Sequence, residues 1–292
     1  MSQAVETTVR KRIRSRKRVE RLFGMVCFAA LLLSALLLFA LVWGVAKDGI
    51  GRLNWSFIDS FPSRIASRAG IKAALAGTLW IIGLTILIAV PIGLASAVYL
   101  EEVAPKNRLV RIIELNVANL AGVPSILYGL LGLAVFVRWM DLGRTVLAGA
   151  LTLSLLILPM IIITAQEALR AVPRAYREGS LALGTTPWRT TLKITLPCAL
   201  PGILTGVILS VSRAMGETAP LITIGALTYV AFTPTGPNDG FTALPIQIFN
   251  WASRPQAAFH ENAAASIIVL LAVLLGMNLI AIVLRDRARR KA

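Results

Sequence analysis

The chain has 292 residues, of which 57% are apolar and only 15% charged, and its formal net charge is +16. That is too little charge to cover a soluble domain of this size, and the mean hydropathy of +0.75 is that of a membrane protein. The basic excess lies in tails and short loops between apolar runs, which argues against a nucleic-acid face and fits topology signals and contact with membrane lipid headgroups.

Residues 1–22 form a strongly basic tail containing "RKRIRSRKRVER". The apolar run 22–46 is too long for a signal-peptide core and lacks a small-residue cleavage pattern, so it reads as a first span. Further spans are expected at 73–100, with Pro91 inside, and at 112–137, 145–165, 200–227 and 264–284. The expected fold is all-α, a polytopic membrane bundle of six transmembrane helices. The expected divisions are a basic tail 1–22, a first helix and outer loop 23–72, a transmembrane domain 73–285 that contains the loop 166–197, and a tail 286–292. Residues 53–68 carry no legible role.

Basic residues fix the expected orientation. With the N-terminus cytoplasmic, 21 of them fall in inner segments and 8 in outer ones, so both termini are expected inside. The outer segment 230–262 opens with the turn-rich "TPTGPNDG". The apolar "FTALPIQIFNWA" that follows is too short for a seventh span and is expected at the membrane interface. Cys27 and Cys198 fit neither a disulfide framework nor a zinc site and read as reduced packing thiols. His260 is the lone histidine, so no metal site is expected. Asn116 and Asn119 read as interhelical hydrogen-bond residues. Gly122, Pro124 and Ser125 either line a path or only fit helices together.

The longest inner loop runs "EALRAVPRAYREGSLALGTTPWRTTLKITLP". Pro173 opens a helix and Gly184 closes it; between them Ala175, Gly179 and Ala182 put a face of small residues at helical spacing. Thr186 caps a second brief helix that has Pro187 in its first turn. Such a pair of helices either lies on the membrane surface or docks into a partner's groove.

This loop resembles the signature of permease subunits of bacterial ABC importers: Glu-Ala-Ala, three residues, Gly, nine residues, Ile-x-Leu-Pro. Here Glu178, Gly179 and Ser180 stand in the first positions, then Gly184, then Ile194, Leu196 and Pro197. Gly and Ser replace the two alanines, both still small. "NLAGVPSILYGLLGL", "SRAMGETAPLI" and "FTALPIQIFNWA" resemble phosphate importer permeases, and among these the PstA-type subunit rather than its PstC-type partner. The resemblance covers roughly residues 70–285. It implies that the loop docks on a cytoplasmic ATP-binding subunit dimer. It also implies a second permease subunit, an extracytoplasmic phosphate-binding protein, phosphate as substrate and the bacterial inner membrane as location.

"SRAMGETAP" places Arg213 and Glu217 inside an apolar span. On a helical wheel Gly202, Gly206, Ser210, Arg213 and Glu217 share one sector about 80° wide, the sector expected to face the protein interior. A charge there costs at least about 2.5–3.5 kcal/mol, so it needs a partner or water. One reading is a structural ion pair at i, i+4. The other is an anion path, because a guanidinium matches phosphate oxygens and stays charged. The resemblance associates this Arg and Glu with translocation. Thr218 beside them is a further candidate, as a hydroxyl donor.

The chain has no Gly-x-x-x-x-Gly-Lys-Ser/Thr loop for ATP, and no catalytic or metal-binding signature. No cofactor and no enzymatic activity of its own are expected. The implied function is an ATP-driven importer subunit working by alternating access. The rival readings are the same machine carrying sulfate or molybdate, and an ATPase-independent anion channel or membrane enzyme.

Overall fold

Five helices of the computed structural model, which describes residues 2–226 and 229–289, are long and apolar enough to cross a bilayer. Residues 171–186 mark one end of the bundle, termed the inner end; residues 50–70 mark the other, outer end.

Helix α1 (Ser2–Gly49) has 48 residues, about 72 Å of helix against a hydrocarbon layer of about 30 Å, so it reaches well beyond the membrane. Its apolar stretch is exposed along 22–43. It meets the bundle only near its outer end, where a Cβ on Gly49 would fall 2.7 Å from the Ala264 backbone. The segment that follows, illegible in the sequence, is a structural plug. Asn54 caps the short helix α2 (Trp55–Asp59) by accepting from the Phe57 amide at 2.7 Å. Phe57 is buried against Trp251, which in turn meets Phe259. Arg52 donates to Asn262 Oδ1 and to the carbonyls of Ala66, Ser67 and Ala69, tying the outer ends of three chain segments together.

Helix α3 (Lys72–Val98) contains Pro91 and ends in a π-helical turn, Tyr99–Val103. The expected third span is not one helix. Helix α4 (Arg108–Ala121) and helix α5 (Ser125–Gly132), which runs on through the π-helical stretch Leu133–Trp139, meet at 102°. The elbow falls at 122–124, because Pro124 has no N–H for the helix ladder and turns Val123 away from helical angles. The Tyr128 hydroxyl closes it by donating to Leu120 O at 2.7 Å. No residue of α4 is buried, and Arg108, Arg111 and Glu114 share it with Leu109, Ile112 and Leu115. It is an amphipathic helix that continuous hydropathy had merged with α5. Asn116 donates to Ile112 O within α4 at 2.8 Å, so it is not the interhelical link expected of it.

Helix α6 (Val146–Arg170), capped by the Thr145 hydroxyl, is the central post. Ala148, Leu153, Ile157 and Ile161 are shut off from all surroundings, and α3 packs along its length. Helices gain little hydrophobic energy from one another inside lipid, so close fit must hold them.

At the inner end come α7 (Arg174–Ala182) and α8 (Pro187–Thr190). The second brief helix does not stand alone: α8 passes through a π-helical turn, Thr191–Thr195, into α9 (Leu196–Gly216). Pro197 cannot donate to Lys193 O, and the widened turn absorbs that gap. The span expected to reach Leu227 stops at Gly216; Leu227 itself lies outside the described residues. Helix α10 (Ala219–Thr223) follows at once.

The rest of the expected outer loop folds into the bundle. Thr145 and Gly240 form a β-bridge, and Leu244 N donates to the buried Thr78 hydroxyl at 2.8 Å. Helix α11 (Leu244–Ala252) buries Leu244, Ile246 and Trp251, so much of "FTALPIQIFNWA" packs into the core while Phe249 stays exposed. Its nine residues are too few to span, as expected. Helix α12 (Ala257–Arg289) closes the bundle against α9 and α11. Cys27 and Cys198 are free, but both are exposed rather than packed.

Candidate functional site

Helix α9 lies along α6 in a register that fixes the depth of Arg213. A Cβ on Gly202 would fall 2.9 Å from Ala168 Cβ, and one on Gly206 would overlap the Thr164 side chain. Ser210 is fully buried, and Arg213 Nη1 reaches Met160 Sδ at 3.2 Å. The sector drawn on the wheel is thus the face against α6. Met160 lies ten residues, about 15 Å, from the inner end of α6 and about 21 Å from its outer end. Arg213 therefore sits near mid-height of the bundle.

Glu217 is no longer helical. Its backbone is extended, with φ −73° and ψ 121°, and its amide donates to Ala214 O at 3.3 Å. The carboxylate turns back, and Arg213 Nε donates to Glu217 Oε1 at 3.3 Å. The Glu217 side chain is 17% exposed and that of Arg213 44%, so the guanidinium opens on one side from the surface of this chain. One donor goes to the carboxylate and one to the sulfur, leaving others free for a second acceptor. Thr218 sits beside the pair, and its carbonyl starts α10 by accepting from Ile222 N at 3.0 Å. Helix α5 closes in here, since a Cβ on Gly129 would meet Pro220 and Thr223. Tyr128 of α5 is within electrostatic reach of Arg213.

The second cluster is the loop at the inner end. Pro173 precedes α7, Gly184 takes φ +81° to close it, and Thr186 accepts from Arg189 N at 3.4 Å to open α8. Glu178, Gly179, Ala175 and Ala182 are exposed, and nothing lies within 4 Å of a Cβ on Gly179. Tyr176, Leu181, Trp188 and Leu183, the last 86% exposed, add apolar surface. Ser180 is turned the other way. Its hydroxyl joins Thr185 at 2.7 Å and the buried Thr190 at 3.0 Å, pinning α7 to α8. Ile194, Leu196 and Pro197 are half-buried where α9 begins.

A charged network beneath α7 escaped the sequence reading. Arg177 Nη2 donates to Glu102 Oε1 at 2.6 Å, and Arg170 donates to Glu101 at 2.7 Å and to Glu114 at 3.1 Å. Glu101, Glu102, Arg170 and Arg177 line, with Lys106, Arg174 and Glu178, a cleft of about 590 Å³. The signal was present: "YLEE" puts two carboxylates at an end of a span where basic residues prevail. Among the described residues no group of three or more His, Cys, Asp or Glu is placed to hold a metal.

Comparison with known proteins agrees with this architecture. The chain is 32% identical over 298 residues to the phosphate transport system permease protein PstA 1 of Mycobacterium tuberculosis (strain H37Rv), covering 100% of this chain and 96% of that one. It is 32% identical over 226 residues to the probable ABC transporter permease protein YqgI of Bacillus subtilis, covering 77% of this chain and 76% of the relative. Among solved structures it shares its fold with a bacterial ABC transporter involved in the import of alginate, with a TM-score of 0.58 and 20% identity over 88% of this chain and 95% of the other. The MetNI methionine ABC transporter gives a TM-score of 0.54 and 21% identity over 76% and 94%. Residues 89–291 match the model of one family, and the chain belongs to it: the binding-protein-dependent transport system inner membrane components.

Proposed function

We propose that this chain is a transmembrane permease subunit of an ATP-driven importer of inorganic phosphate. It would lie in the bacterial inner membrane with both termini in the cytoplasm, as the bias of basic residues supports. The partners in this reading are a PstC-type permease chain, an ATP-binding subunit dimer and an extracytoplasmic phosphate-binding protein. The ATPases hydrolyse ATP; this chain carries no site for it.

One observation carries the reading: a half-open guanidinium at mid-height of a bundle whose full-length relatives bear phosphate permease names. In the proposed cycle the ATPases engage the exposed face of α7 around Glu178. Their closure moves the helix ends and opens the path to the outside. Phosphate then binds the free donors of Arg213 and takes the place of Glu217 on Nε, with Thr218 as a further contact, and reset of the ATPases releases it inward. Exchange of one acceptor for another keeps the guanidinium satisfied throughout.

Uptake into proteoliposomes that contain the whole complex tests this. ATP-dependent entry of phosphate, not matched by sulfate or molybdate, is the expected result. Entry of sulfate without phosphate, or anion flux through this chain alone without ATP, defeats it.

A further inference from the structure

Helix α7 has no buried residue. Its main backbone contacts are with α8 and the π-helical turn after it, and with no buried residue it has little apolar packing to carry its movement into the bundle. What holds it is polar. The Ser180–Thr185–Thr190 hydroxyl cluster ties it to α8. Beyond the short chain link 171–173 from α6, its remaining side-chain hydrogen bonds to the bundle are those of Arg177, the residue before the exposed Glu178.

Arg177 donates to Leu169 O at 2.9 Å and to Val172 O at 3.3 Å, at the inner end of α6. The same guanidinium donates to Glu102 at 2.6 Å, on the π-helical turn that ends α3. The other oxygen of Glu102 lies 3.4 Å from the Thr191 hydroxyl, where α8 passes into α9, and shares that donor with Pro187 O at 3.1 Å. Two side chains thus join α3, α6, α7 and α9. The Glu102 side chain is 11% exposed and that of Arg177 23%, against 53% for Arg170 in its own ion pairs. A pair this enclosed is weakly screened and resists separation, whereas a solvated pair exchanges partners freely.

We propose that Glu102 is the positioning residue that converts displacement of α7 into displacement of α3 and α9. This rests on the importer reading for its driving force. Pulling on Glu178 moves Arg177, and through Glu102 the inner ends of both helices follow as one body. A loop held only by its own hydroxyl cluster would tilt without moving α3.

The test uses the full complex with its ATPases and binding protein in proteoliposomes, with phosphate as cargo. Glu102→Gln is expected to keep the ATPases bound and hydrolysing, while the ATP consumed per phosphate delivered rises at least about tenfold, the scale of one charge-assisted hydrogen bond. Thr191→Val should shift the ratio the same way by less. Arg177→Lys keeps the charge without the planar fork and should raise the ratio by less than Arg177→Ala does. Spin labels at the exposed Arg174 and Leu87, with Cys27 and Cys198 replaced, give a readout free of cargo: their separation should hold on ATP addition in the otherwise wild-type chain and change in Glu102→Gln. An unchanged ratio in Glu102→Gln and Thr191→Val, loss of the ATPases from both, or a wild-type label separation that shifts with ATP overturns the joint. Labels that behave as expected in a wild type that moves no phosphate support the joint and overturn the phosphate reading instead.

Discussion

Gly206 of α9 and Thr164 of α6 meet so closely that no side chain fits at 206. The Thr164 hydroxyl is already committed to Met160 O at 2.8 Å, so it cannot swing aside without breaking a bond. Arg213 stands two turns farther along the same face. Gly206→Leu should therefore separate the helices, cost about 1–3 kcal/mol and displace Arg213 with them. Melting of the detergent-solubilised complex, read beside uptake, checks this. An unshifted melting temperature would mean the contact is loose.

Arg213→Ala should cut phosphate uptake by at least about tenfold while the complex still assembles, because the anion loses a charged donor. Arg213→Lys keeps the charge but not the planar fork, and should retain part of the activity. Size-exclusion profiles read alongside uptake separate the two roles: a complex that falls apart would mark the Arg213–Glu217 pair as structural.

Glu178 is exposed on α7 and makes no ion pair among the described residues. In the proposed cycle it meets the ATPase. Glu178→Lys reverses that charge and should leave ATP hydrolysis running while uptake fails. Transport at the wild-type level with intact coupling would remove Glu178 from the docking surface.

Asp239 gives a pH signature at the outer end. The Thr235 amide, then the Thr235 hydroxyl and the Gly236 amide, hold its carboxyl below the usual carboxylate range. A depressed acid stabilises at pH above its unfolded value, and that support is lost as pH falls through the depressed value. Amide protection of Thr235 and Gly236 should thus be flat through neutral pH and fall only in strong acid. Asp239→Asn should lower protection at neutral pH to about the level the wild type reaches in strong acid, and so abolish the acid transition. Hydrogen exchange followed by mass spectrometry reads both.

What the sequence made legible was what local rules govern. Pro173, Gly184 and Thr186 set the bounds of α7 and α8 because proline, a left-handed glycine and an N-cap act over a single turn. The facing of Gly202, Gly206 and Ser210 followed from helical period. The stop at Gly216 did not, because the segment stays apolar beyond it while the backbone at Glu217 turns extended. The elbow at Pro124 was hidden for a similar reason: α4 and α5 are both apolar enough to read as one run. Glu102 and Arg177 lie 75 residues apart, and no pattern in one chain pairs them. Phe57, Trp251 and Phe259 came together only through the fold of the outer end.

Helix α9 ends three residues past Arg213, so its last carbonyls set roughly half a negative charge at that level. Together with the docked carboxylate of Glu217 they more than balance the guanidinium. An idle assembly then offers small anions no net attraction at its centre and no reason to linger. In the proposed cycle, leakage down a gradient is discouraged by the same group that a proper load must push aside.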